Sequence, residues 1–129
     1  MTDSEKKKIL VVDDEPNVCK SVRQALLSQG YEIDMALSGE EALRKEEGAC
    51  YDVVIADLMM PGLSGLDLLK SLKARNARAK VIMITGYPTL KTTVQAMEIG
   101  AFEYLPKPFL PAELRALVAR ALAAGEEEV

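Results

Sequence analysis

The chain has no histidine, two cysteines, and an aromatic set of only two phenylalanines and four tyrosines in 129 residues. Without histidine it cannot itself be a phosphohistidine donor or relay, and any metal it holds must do without imidazole. Cys19 and Cys50 fall in a predicted helix and a loop with no metal-ligand spacing, so both are read as reduced thiols that pack or are incidental. No apolar stretch approaches the roughly 18 residues of a membrane span, which leaves no expected membrane contact. The N-terminal lysines are followed by a short apolar segment that runs straight into Asp13-Asp14, unlike a signal peptide, and a cytoplasmic location is the expectation. Basic residues form no stripe: Lys6-Lys7-Lys8 is the one cluster and reads as a solvated lead, while the net charge is −4. Direct nucleic-acid binding by this domain is therefore not expected, because phosphate contacts need clustered Lys and Arg.

What is present is a single domain's worth of chain, 49% hydrophobic and 28% charged, long enough for a sizeable core. Ile9-Leu10-Val11-Val12 and Val53-Val54-Ile55-Ala56 lack the alternation of a half-exposed strand and carry the β-branched richness of strands buried on both faces. Strand and helix signals then alternate five times, which predicts an α/β, doubly wound parallel sheet with five helices on both faces. Pro16 opens a helix with Val18, Val22 and Leu26 on one face, closed by Gly30. A short strand over 32–36 follows, and Ser38-Gly39-Glu40-Glu41 has the capping-box spacing of a charged helix that ends near Gly48.

Met60-Pro61-Gly62 signals a turn, and Ser64 caps a helix with Leu66, Leu69 and Leu72 on one face. The fourth strand spans 80–84. A helix over about 88–99 is expected to turn Leu90, Val94 and Met97 inward and to stop at Gly100. The fifth strand spans 102–105, Pro106-Lys107-Pro108 breaks the chain, and Pro111 starts a last helix with Leu114, Leu117, Val118, Ala121 and Leu122 as its apolar stripe. The expected organisation is a lead over 1–7, a domain over 8–124 and a frayed acidic tail over 125–129.

The chemistry lies at the strand ends. Asp13 and Asp14 follow the first strand, Asp57 the third, Thr85 the fourth and Lys107 the fifth. In an open parallel sheet ligands collect beyond the carboxyl ends of the strands, so these distant residues can converge. Carboxylates without Cys or His suit a hard cation. Mg²⁺ takes oxygen ligands at about 2.0–2.1 Å and keeps several waters, which fits a site of two or three carboxylates. A strand-end aspartate can merely cap the next helix, and Asp14 before Pro16 can do that as well. Three acidic strand ends beyond one sheet are harder to explain that way.

Ile9-Leu10-Val11-Val12-Asp13-Asp14-Glu15, Ala56-Asp57-Leu58-Met59-Met60-Pro61-Gly62, Ile84-Thr85-Gly86-Tyr87 and Tyr104-Leu105-Pro106-Lys107-Pro108-Phe109 together resemble the response-regulator receiver domain of two-component signalling, from about Lys8 to Leu122. The resemblance implies a flavodoxin-like sheet of order 2-1-3-4-5 and a Mg²⁺ cofactor. It implies Asp57 as phosphoacceptor from a sensor histidine kinase, a phosphotransfer protein or a small phosphodonor. It implies Asp14 as direct metal ligand, Asp13 acting mainly through a metal-bound water, and the Met59 backbone carbonyl as a further ligand. Lys107 would pair with the phosphoryl oxygens, Thr85 would donate to them, and Tyr104 would be a rotamer switch coupled to the Thr85 hydroxyl. The Lys107-Pro108 bond is expected to be cis. Further partners implied are an effector domain or downstream protein, and a homodimer through the fourth helix, fifth strand and fifth helix.

Bare chemistry agrees: a carboxylate is a competent nucleophile toward phosphorus once charge is neutralised, and three carboxylates balance Mg²⁺ plus Lys107. Met59 and Tyr87 are expected to flank the acyl phosphate and slow its hydrolysis by excluding water. A phosphohydrolase of the haloacid-dehalogenase type needs an acid two positions after its nucleophile, where this chain has Met59. A flavin or nucleotide module would want a hydroxyl- and glycine-rich loop after the first strand, where Asp13-Asp14-Glu15 repels phosphates. A receiver fold that binds partners without phosphorylation is the remaining alternative.

Overall fold

A computed structural model describes residues 6–76 and 78–127. Five strands and five helices alternate: β1 Lys8–Val12, α1 Pro16–Leu26, β2 Glu32–Ala36, α2 Gly39–Gly48, β3 Val53–Asp57, α3 Gly65–Arg75, β4 Lys80–Thr85, α4 Leu90–Ile99, β5 Glu103–Pro106 and α5 Pro111–Glu127. The sheet is wholly parallel in the order β2-β1-β3-β4-β5, as the resemblance implied.

The unbroken apolar runs form the middle of the sheet because each strand feeds two cores. Leu10, Val12, Val54, Ala56, Val81 and Met83 face one cluster with Leu68, Leu69, Leu72 and Ala96. Ile9, Val11, Val53, Ile55, Ile82 and Ile84 face the other with Cys19, Val22, Leu26, Leu114 and Val118. Alternate residues thus point to opposite helix layers, and both sets are dry. Each such branched side chain stabilises the fold by about 1.5–3 kcal/mol relative to exposure.

The helix starts are chemical. Ser38 Oγ accepts from Glu41 N at 3.0 Å, Ser64 Oγ from Asp67 N at 3.2 Å, and Thr89 Oγ1 from Thr92 N at 3.1 Å. Glu41 reaches back to Leu37 N at 2.8 Å, one residue further out than a standard capping box. Gly30 and Gly100, at φ 80° and 124°, stop α1's trailing 3-10 turn and α4 where side-chain-bearing residues would be strained.

Three expectations need correction. Leu90, Val94 and Met97 do not turn inward: they are 82%, 45% and 44% exposed, and Ala96 is the one buried residue of α4. The small Ala96 is what permits close approach, so α4 packs by its Thr92, Ala96 and Ile99 side and leaves its larger apolar residues on the opposite face. Because Thr89 supplies the cap, α4 begins at Leu90 rather than Pro88. In α3 the buried set is Gly65, Leu68, Leu69 and Leu72, with Leu66 only half-buried.

Smaller shifts concern the end of the chain. β5 sits one residue later than expected, and α5 continues to Glu127, into the expected tail. Residues 1–5 of the lead and 128–129 of the tail lie outside the described residues.

Candidate functional site

The carboxyl ends of the strands meet in one crevice. Asp57 is the last residue of β3 and Thr85 of β4, while Asp13 and Lys107 directly follow β1 and β5. The ladders carry on just past the strands: Asp13 N donates to Ala36 O at 3.1 Å, Leu58 N to Ile84 O at 2.8 Å, and Lys107 N to Thr85 O at 2.7 Å. These bonds fix where the chain leaves the sheet, and so where each side chain enters the crevice.

Asp13, Asp14 and Asp57 each offer a carboxylate oxygen within 4.8 Å of the others. Asp13 is fully buried and Asp57 is 6% exposed, whereas Asp14 faces solvent. The two buried carboxylates are held in the same way. One oxygen of each accepts from the backbone N–H two residues on, Glu15 N to Asp13 Oδ1 at 2.9 Å and Met59 N to Asp57 Oδ1 at 3.2 Å. The other oxygen of each meets the same ammonium, Lys107 Nζ, at 3.3 Å from Asp13 Oδ2 and 3.4 Å from Asp57 Oδ2. Among the described residues the Asp14 carboxylate makes no hydrogen bond or ion pair, so its oxygens are open to a cation. The donor set is all oxygen, which suits Mg²⁺ or a similar hard ion.

Electrostatics follow from that packing. Burial pushes the Asp13 carboxyl above its usual value, with the Asp57 charge in the same direction; the Glu15 N–H and Lys107 partly oppose it. Lys107 is pulled down by burial, but Asp57 and Asp13 outweigh this and hold it above the ordinary lysine range, so it is a fixed cation at neutral pH. Beneath Asp13 lies Cys19, whose thiol is 3.5 Å from the Asp13 carbonyl oxygen and is pushed up to about 11, first by burial and then by the Asp13 charge. It stays protonated and packs among Val22 and Leu26 of α1, one of the two roles expected of it.

Thr85 is fully buried, and its Oγ1 accepts from Tyr87 N at 3.1 Å. Tyr104 pairs in register with Met83, two residues before Thr85, and therefore lies on the sheet face that Thr85 also uses. Its hydroxyl meets Thr92 Oγ1 of α4 at 3.0 Å rather than the Thr85 hydroxyl. Met59 and Tyr87 are 60% and 79% exposed. The Lys107-Pro108 bond is cis.

Gly65, which carries no motif in the sequence, starts α3 directly against the end of β3. A Cβ there would sit 2.4 Å from Asp57 O and 2.6 Å from Leu58 Cα, and Gly65 N donates to Leu58 O at 3.0 Å. The available signal was a glycine at a helix start, where a better helix former would ordinarily serve.

Residues 9–119 match the family described as response regulator receiver domain. The chain belongs to that family. It is 40% identical over 115 residues to the regulatory protein AtoC of Escherichia coli, covering 89% of this chain and 25% of the relative. To the alkaline phosphatase synthesis transcriptional regulatory protein PhoP of Bacillus subtilis it is 37% identical, covering 93% of this receiver and 50% of the relative. The receiver thus spans between a quarter and a half of these curated relatives. A crystal structure of a response regulator receiver domain protein from Clostridium thermocellum superposes with a TM-score of 0.90 at 37% identity, covering 95% of this chain and 99% of that one. A CheY-like receiver domain protein from Methanospirillum hungatei gives 0.93 at 32%, covering 97% and 100%. No described helix of the receiver is long and apolar enough to cross a membrane.

Proposed function

We propose that this receiver is a phosphorylation-controlled switch whose acceptor is Asp57. The observation that carries the reading is the sharing of one ammonium by two buried carboxylates, with a third, unpartnered carboxylate within 4.8 Å. Such a cluster repels itself unless a cation joins it, and it lies where an in-line donor can approach from solvent.

Asp57 uses a carboxylate oxygen to attack the phosphorus of a phosphohistidine or a small acyl phosphate. The new O–P bond forms as the donor's bond to phosphorus breaks, and the donor leaves with that electron pair. Mg²⁺, held by Asp13, Asp14, Asp57 and the Met59 carbonyl, would supply charge neutralisation for the phosphoryl oxygens. Lys107, already 3.4 Å from Asp57, pairs with one of those oxygens as its hold on Asp57 loosens. The Thr85 hydroxyl, which accepts from Tyr87 N and keeps its own proton to give, donates to another. Exposed Met59 and Tyr87 stand at the rim and limit the approach of water.

The output we infer is a change of partner at the face of α4, β5 and α5. Tyr87, Leu90, Val94 and Met97 already present apolar surface on or beside α4, suited to a homodimer, an effector domain or a downstream protein. The phosphoryl source is a sensor histidine kinase or phosphotransfer protein, in keeping with a cytoplasmic location.

Intact mass after incubation with acetyl phosphate and Mg²⁺ tests the acceptor. The expected result is one added phosphoryl group that requires magnesium and is absent in Asp57→Asn. No gain with the fold intact would overturn it in favour of a phosphorylation-independent interaction module.

A further inference from the structure

We propose that Thr92 is a positioning residue for Tyr104: its side-chain oxygen latches the tyrosine hydroxyl to the N-cap of α4 and sets how readily that ring can move. The consequence for signalling rests on the receiver reading above, while the latch is a property of the unphosphorylated chain.

Thr92 Oγ1 meets three groups, the Tyr104 hydroxyl at 3.0 Å, Thr89 Oγ1 at 2.8 Å and the Thr89 carbonyl oxygen at 3.2 Å. Proton bookkeeping allows one complete solution. A carbonyl only accepts, so the Thr92 proton goes to Thr89 O, and the two lone pairs of Thr92 accept from Tyr104 and from the Thr89 hydroxyl. Thr89 Oγ1 in turn accepts Thr92 N at 3.1 Å as the N-cap of α4. Every hydroxyl in the chain from β5 to the helix start is then satisfied.

This joins the two parts that a switch must connect. Tyr104 shares a sheet face with Thr85, and Thr92 belongs to the helix whose outer face exposes Leu90, Val94 and Met97. Any rotation of Tyr104 must first give up the Thr92 oxygen, leaving a partly buried phenol donor to find another acceptor. A weaker latch therefore raises the population of the displaced tyrosine before any phosphoryl group arrives. Thr93 is the natural control. Its hydroxyl bonds the same Thr89 carbonyl at 2.8 Å, with no contact to Tyr104 among the described hydrogen bonds.

The test is fluorine NMR of the full chain labelled with 3-fluorotyrosine, whose four signals are assigned with Tyr31→Phe, Tyr51→Phe, Tyr87→Phe and Tyr104→Phe. Thr92→Val, nearly isosteric, should shift or broaden the Tyr104 signal and leave those of Tyr31 and Tyr51 in place. Thr92→Ser should restore it and Thr93→Val should not move it. Phosphorylation by acetyl phosphate and Mg²⁺ should be about fivefold faster in Thr92→Val, the effect of losing one ordinary hydrogen bond on a two-state population.

An unchanged Tyr104 signal in Thr92→Val, or an equal change in Thr93→Val, would overturn the latch; a shifted signal with an unaltered phosphorylation rate would overturn its role in setting the switch. Failure of the receiver reading looks different: no variant, nor the parent chain, would take up a phosphoryl group.

Discussion

At the carboxyl end of the sheet the buried Asp13 carboxylate has Lys107 on one oxygen and the Glu15 N–H on the other; at the far end of α2, Glu46 is 5% exposed and neither carboxylate oxygen has a hydrogen-bond partner. Burial holds the Glu46 carboxyl above the ordinary range; the nearby Tyr51 N–H, Cys50 thiol and Arg75 charge oppose this without making a hydrogen bond to it. Both groups are acids removed from water. Only the first sits among donors that keep a carboxylate useful, with an ammonium shared by a second carboxylate beside it. The difference separates a burial that serves chemistry from one that follows from helix packing.

The largest break in the comparison is Lys107→Met. It leaves Asp13 and Asp57 buried without their cation, and the metal-free protein should lose about 3 kcal/mol at neutral pH in urea unfolding, with part recovered on adding Mg²⁺. A loss well under about 1 kcal/mol would mean the ammonium does not compensate the pair.

Gly65→Ala comes next. A Cβ at 2.4 Å from Asp57 O and 2.6 Å from Leu58 Cα must push α3 and the end of β3 apart, at a cost of about 1–3 kcal/mol and, on the proposed function, with slower uptake of phosphoryl groups by a shifted Asp57. Unchanged stability by thermal melting together with unchanged uptake would show that the loop yields freely.

The smallest effect, and the sharpest contrast, is Glu46→Met. The folded value of Glu46 lies above its ordinary 4.5, so its contribution is fully present below that pH and is lost as pH rises through the folded value. The methionine variant lacks that loss. It should match the parent near pH 4 and exceed it by about 1 kcal/mol at pH 8, and a gap that stays constant across denaturation curves at both pH values would refute the assignment.

Much of this arrangement is legible in the sequence. Two unbroken β-branched runs, five alternations of element and the turn and cap residues between them define the elements, and the acidic, hydroxyl and lysine residues stand out because they follow strands. α4 departs from its expected orientation for a specific reason. Leu90, Val94 and Met97 repeat with helical period, but so do Thr92, Ala96 and Ile99 on the other side, and hydrophobicity alone favours the wrong face. Glu46 was invisible among Glu40, Glu41, Arg44, Lys45 and Glu47 of a charged helix, where no local rule marks which carboxylate is covered. The Thr92 contact to the Tyr104 hydroxyl left no mark in the sequence, since Thr92 reaches Tyr104 only through the packing of α4 against β5.

The amino-acid sequence by itself determined the order of elements, the parallel sheet and the placing of Asp13, Asp14, Asp57, Thr85 and Lys107 at strand ends, because strand period, turn chemistry and helix caps act between near neighbours. Tertiary structure alone decided which side of α4 faces inward, which acids lose their water and which hydroxyl holds Tyr104. Those outcomes depend on how closely elements far apart in sequence can approach, and that is set by the size of residues such as Ala96 and Gly65 at the point of contact.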